Sequence, residues 1–83
     1  MKYELSEHAL IRIRERKIET VWLEQALTRP QRTEPDEDDP ALEHRLAEIA
    51  ERGYRVLRVV CNPGAKPLKI VTVHFDRSMK GKL

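Results

Sequence analysis

The sequence predicts a small α+β domain, with helices in its first third and a β-hairpin in its last. Two observations carry that reading. Ala9, Leu10 and Ile13, and then Trp22, Leu23, Ala26 and Leu27, recur at the spacing of helices that bury one face. The segments YRVLRVVC (54–61) and LKIVTVHF (68–75) are dense in β-branched residues and are joined by NPGAKP, the signature of an antiparallel hairpin. Eighty-three residues are enough for one core, so residues 1–83 are expected to form a single domain.

The elements follow in order. Tyr3 to Leu5 reads as a short first strand. Ser6 is a good N-cap, because its hydroxyl can accept a free N–H of the first turn, and a helix is expected over 6–17. On that helix His8, Arg12 and Arg16 stand four apart, on an arc beside the core face. A second helix is expected over 20–28. Glu19 is its N-cap, and Ile18 and Leu23 form a hydrophobic staple. Pro30 ends it, since the residue before a proline avoids helical angles. EPDEDDP (34–40) reads as an acidic, mobile loop bounded by prolines.

ALEHRLAEIAERG (41–53) supports two readings. Asp39, Pro40 and Gly53 sit where a helix would place its cap, first residue and C-terminal glycine, and Leu42, Leu46, Ile49 and Ala50 recur at helical spacing. The alternative is a strand from about 44 to 50 with a turn at 51–53. In the hairpin, Leu57, Val59, Cys61, Val71, Val73 and Phe75 are expected to share an apolar face. Val56, Arg58, Val60, Ile70, Thr72 and His74 would share the other, with Arg58 opposite Thr72 if the turn centres near Ala65. A one-residue slip would exchange the faces. RSMKGKL (77–83) reads as a flexible basic tail.

Net charge is +2, but the charges are segregated. Residues 1–33 carry +2, residues 34–51 carry −7 and residues 52–83 carry +7. A basic third of this kind suits phosphates, or it is a solvated sheet neutralised by the acidic segment of the same chain. The only cysteine is Cys61, which excludes an intrachain disulfide and reads as a small core residue. There is no zinc-ligand spacing, phosphate-cradling glycine loop, secretory h-region or apolar run long enough to span a bilayer. The expectation is a cytoplasmic protein with no membrane association, no metal and no cofactor.

HALIRIRERKI resembles the H-A-x-x-R-x-x-x-R-x-I opening of a small bacterial family of unknown function. That family is related to BrnT and, more distantly, to RelE/ParE-like toxins. His8, Ala9, Arg12, Arg16 and Ile18 carry the match. ETVWLEQALTRP is similar to its second helix, and RVLRVV and KIVTVHFD to its paired strands, so the resemblance spans about residues 5–77. Arg16-Lys17 departs from the family's usual Arg-Gly, and Glu19 stands where a serine or threonine cap is common. The resemblance implies a RelE/ParE-like β-α-α-β-β-β order, with two helices on one face of a small antiparallel sheet and the other face open. It therefore favours a strand over 44–50. It further implies a toxin-like protein of a toxin–antitoxin system, with an antitoxin-like partner and metal-independent ribonuclease activity on RNA. A non-catalytic RNA- or protein-binding module is the alternative.

Metal-free cleavage of RNA needs a base, an acid and fixed cations beside the phosphate. His74 and Arg58 supply an imidazole and a guanidinium on the polar face of the hairpin and are the catalytic candidates. Arg12, Arg16, Arg55 and Lys69 are the nucleic-acid-binding candidates, although strand alternation puts Arg55 and Lys69 on the opposite face unless a bulge turns them. For the His8-Arg12-Arg16 line the structural reading is a clamp at the rim of the core. Its stems would cover core atoms, and its heads would anchor carboxylates such as Glu34 and Asp36.

Overall fold

The computed structural model describes residues 1–83. In chain order the elements are β1 (Tyr3–Leu5), α1 (Glu7–Arg16), α2 (Thr20–Thr28), β2 (Arg32–Pro35), β3 (Glu43–Ile49), a 3-10 turn at Ala50–Arg52, β4 (Arg55–Asn62), β5 (Leu68–Asp76) and a 3-10 turn at Arg77–Met79. The strands form one mixed sheet in the order β1-β5-β4-β3-β2. β1 runs parallel to β5 and the other neighbours are antiparallel. The α+β class and both helices are as expected, and residues 43–49 are strand rather than helix, but the sheet is five-stranded and mixed, with β2 added to the expected β-α-α-β-β-β order and β1 parallel in place of an all-antiparallel sheet.

Local chemistry explains the helix ends. Ser6 accepts the Ala9 N–H at 3.0 Å and donates its own hydroxyl to the Val71 carbonyl at 2.6 Å. One side chain thus caps α1 and ties it to β5. At the other end Lys17 takes left-handed angles, φ 53° and ψ 47°, in place of the glycine usual at such a stop. The Lys17 N–H reaches the Arg14 carbonyl and the Ile18 N–H reaches the Ile13 carbonyl at 3.0 Å, the paired bonds that close a helix before a sharp turn. Ile18 and Leu23 both join the core, as the staple requires, while Glu19 makes no side-chain capping bond.

The helices cover one face of the sheet. Their core unites Ala9, Trp22, Leu23, Ala26 and Leu27 with Ala47, Ile49, Leu57, Val59, Cys61, Ile70 and Val73. Burial pushes the Cys61 thiol pKa up, in keeping with an inert core side chain. Leu10, expected on the core arc, is 37% exposed.

The expected hairpin faces hold on one side of a bulge and fail on the other. Val59 faces Val73 and Val60 faces Thr72, but Cys61 faces Ile70, which leaves Val71 as an extra residue. Ile70 therefore turns into the core, and Val71, expected there, does not. Arg58 lies opposite His74 rather than Thr72.

The acidic segment is more structured than a free loop. Glu34 and Pro35 belong to β2, and the Asp36 carboxylate accepts the N–H groups of Asp38 and Asp39. The 77–83 tail begins as a 3-10 turn, with Asp76 capping Ser78.

The far face of the sheet has no helix over it, yet Leu46, Val56 and Val60 are buried there at 0%, 0% and 6% exposure. Register places all three around Arg58, two along β4 and one across on β3. The Arg58 guanidinium is held in a network over them. Its Nε donates to Asp76 Oδ2 at 2.9 Å, and Nη1 donates to Glu34 Oε1 at 3.1 Å and to His44 Nδ1 at 2.8 Å. Arginine can only donate, so His44 Nδ1 accepts, and its Nε2–H donates to Asp36 Oδ1 at 2.7 Å. This polar network covers the middle of the face expected to be open, and leaves His74 exposed.

Candidate functional site

β1 pairs with β5 only from Leu68 to Ile70. Beyond that point β5 is an edge strand, and α1 crosses beside it. The gap between them is a cleft of about 340 Å³. One wall is the α1 line of His8, Arg12 and Arg16. The opposite side straddles the edge of β5, with Thr72 and His74 from one face of the sheet and Phe75 from the other. Arg52, Arg55 and Arg77 close the end. The lining holds five arginines, two histidines and no carboxylate.

These cations are largely uncompensated. Arg12 has only a loose contact to Glu15, 3.7 Å away one helical turn on, and Arg16, Arg55 and Arg77 enter no ion pair. Arg52 is positioned by aromatic groups. Its guanidinium carbon lies 5.0 Å from the Phe75 ring centroid and 5.7 Å from that of Trp22, and the two rings meet edge to face at 6.4 Å. Its Nη1 also donates to the Arg16 carbonyl at 3.4 Å, at the end of α1. The chain reaches this position through a tight turn in which Gly53 and Tyr54 both have positive φ, 67° and 62°. That conformation is ordinary for glycine and strained for tyrosine.

Desolvation of the ring by its neighbours lowers the His74 pKa below the usual histidine value, although much of the side chain is exposed. Asp76 opposes the shift, and Arg58, His44 and Arg12 add to it. His74 therefore stands neutral at pH 7.

The site candidates divide. His74, Arg12, Arg16 and Arg55 share the cleft. Arg58 does not line it, because its guanidinium is committed to Glu34, Asp76 and His44 and is 14% exposed. It belongs to the structural network. Lys69 pairs in register with Glu4 and Asn62, on the far side of the bulge, and lies outside the cleft. The clamp drawn between the α1 arginines and Glu34 or Asp36 is absent, since those carboxylates serve Arg32, Arg58 and His44. Sequence reasoning missed Arg52 and Arg77. The only signal for them was the basic content of the last third, and nothing in spacing shows that two turns would bring them together.

Nowhere do three His, Cys, Asp or Glu side chains gather in a cluster suited to a metal ion. No helix is long and apolar enough to cross a membrane. No curated protein and no solved structure matches the chain. A family model does match over residues 5–75, from the last residue of β1 to Phe75 beside the cleft. The chain belongs to the family described as Domain of unknown function (DUF4258).

Proposed function

We propose that the protein is a toxin-like, RNA-binding protein whose arginine cleft holds the phosphodiester backbone and cleaves it without a metal. One observation carries the reading: a cleft with five arginines, two histidines and no carboxylate in its lining. Unpaired guanidiniums that converge on one hollow repel each other, and a bound anion relieves that repulsion. Arginine forks also match phosphate oxygens in pairs. The resemblance of the α1 opening to BrnT-related and RelE/ParE-like proteins supports the toxin assignment, and with it an antitoxin-like partner.

The chemistry follows from the two imidazoles. Neutral His74 takes the proton of a 2′-hydroxyl as that oxygen bonds to phosphorus. The bond to the 5′-oxygen breaks as the second imidazole, His8, delivers a proton to it. The products are a 2′,3′-cyclic phosphate and a free 5′-hydroxyl. Arg12, Arg16 and Arg55 hold the phosphate as its charge grows. Arg58 has no part in the reaction in this scheme. It fixes the strand opposite His74.

A non-catalytic RNA-binding module is the second reading, favoured by the sequestration of Arg58, which removes the cation expected beside His74. A labelled single-stranded RNA, incubated with and without chelator across a salt series, separates the two. Binding is expected to weaken by about 0.7 in log affinity per log unit of salt for each phosphate neutralised. Cleavage is expected to persist in chelator and to vanish in His74→Ala while binding remains. Binding without cleavage leaves the module. Absence of salt-sensitive binding rejects both.

A further inference from the structure

A second hollow of about 270 Å³ adjoins the cleft, lined by Arg55, Phe75, Asp76, Arg77 and Lys80. Building on the RNA-binding reading, we propose that this hollow is a subsite for the next nucleotide, so that the ligand is a single strand running through both hollows. Neither a lone phosphate nor a mononucleotide would fill that path.

Three features support it. Arg55, Phe75 and Arg77 line both hollows, so the two are continuous across a shared ridge. Each hollow has one apolar lining residue, and it is the same ring, Phe75. A ridge with two guanidiniums and the rim of a part-buried ring offers a grip for a phosphodiester and an apolar edge against which a base can lie. Finally, the second hollow's carboxylate is already engaged. Asp76 Oδ2 accepts from Arg58, and Oδ1 accepts the Ser78 N–H and hydroxyl. Arg55, Arg77 and Lys80 enter no ion pair and remain for the ligand.

Size and shape favour a single strand over a duplex. Each hollow is near the ~300 Å³ lower bound of small-ligand sites. Duplex RNA presents a broad convex surface, read by shape across its grooves, and does not enter such hollows.

The test is fluorescence anisotropy with labelled 2′-O-methyl oligouridylates of one, two, four and eight residues, which bind but lack the attacking hydroxyl. Wild type, Lys80→Ala, Arg16→Ala and Lys82→Ala are compared, with thermal melts as controls. Affinity is expected to rise about tenfold or more from one residue to four, since only the longer strand reaches the guanidiniums and Lys80 of both hollows. Lys80→Ala, which alters only the second hollow, is expected to weaken the tetramer several-fold and spare the monomer. Arg16→Ala weakens both. Lys82 lies outside both hollows, so Lys82→Ala reports the loss of one charge alone and is expected to do less than Lys80→Ala. Equal affinity for one and four residues, or equal effects of Lys80→Ala and Lys82→Ala, overturns the subsite while RNA binding stands. Binding at no length overturns the RNA reading itself, and the subsite with it.

Discussion

Arg58 and Arg16 are the same side chain in opposite circumstances. Arg58 sits over Leu46, Val56 and Val60, and two carboxylates and an imidazole take up three of its donors. Arg16 stands beside an equally defined hollow with four other arginines, and no carboxylate answers it. The chain has 14 acidic residues, so anions were not scarce. Two of them, Glu34 of β2 and Asp76 at the end of β5, are placed on Arg58, and none lines the cleft. Arg58 is spent on the fold, whereas most of the cleft arginines have no ion pair in the chain.

The largest expected effect tests the structural half of that contrast. Arg58→Ala strands Glu34 and Asp76 beside buried apolar surface and should cost about 3 kcal/mol of stability in urea denaturation, the scale on which partly buried pairs fail when one member goes. Arg16→Ala should shift stability by less than about 0.5 kcal/mol, as exposed substitutions do. Comparable losses from the two variants would erase the distinction drawn here.

The next effect is one of pH. His74 has a folded-state pKa below its unfolded value, so the unfolded chain takes up the proton first as pH falls. Stability is therefore expected to be fully present above pH ~6.5 and to decline below it. His74→Gln should flatten that decline. Asp76, held low mainly by the Ser78 hydroxyl and then by Arg58, against an opposing effect of burial, adds a second loss only near pH ~4 and below. Polyanion affinity should run the other way and rise only as pH falls well below ~6.5, because the lowered pKa of His74 delays its charging and protonated His74 then adds a cation to the cleft. Denaturation and binding curves at pH 7.5 and 5.5 give both slopes, and a binding slope unchanged in His74→Gln would mean that His8, not His74, faces the ligand.

The smallest effect concerns the wall of the cleft. Lys17 holds left-handed angles that cost an ordinary residue ~1–2 kcal/mol, part of which glycine returns through its greater freedom when unfolded. Lys17→Gly should stabilise α1 by about 0.5–1 kcal/mol and leave RNA affinity unchanged. A loss of affinity would show that Lys17 contributes to the basic site.

The parts that could be read from the sequence were those fixed by local rules. Ser6, Ile18 and Leu23 marked the helix ends, and β-branched density marked β4 and β5. For residues 43–49 the local signals conflicted, and pairing with β4 overrode their helical spacing. β2 gave no signal because it is four polar or proline residues at a sheet edge, with little to bury. The bulge at Val71 was invisible because Ile70 and Val71 are both apolar, and either can supply the inward position. Only the packing of Ile70 against α1 and the core selects one. The site was half legible for the same reason. His8, Arg12 and Arg16 share one helix, so spacing alone aligns them. Arg52, Arg55 and Arg77 come from two turns and a strand end, and their convergence is a product of the tertiary fold.

Trp22 is the chain's single tryptophan, and the guanidinium stacked 5.7 Å from its ring belongs to Arg52, a residue of the cleft. The protein therefore carries its own optical probe. Indole emission responds to a charge held near the ring, so an anion that draws Arg52 away from Trp22, or neutralises it in place, should change the colour and yield of fluorescence. Occupancy of the site becomes visible in unlabelled protein, with a buried side chain reporting on a ligand it never touches.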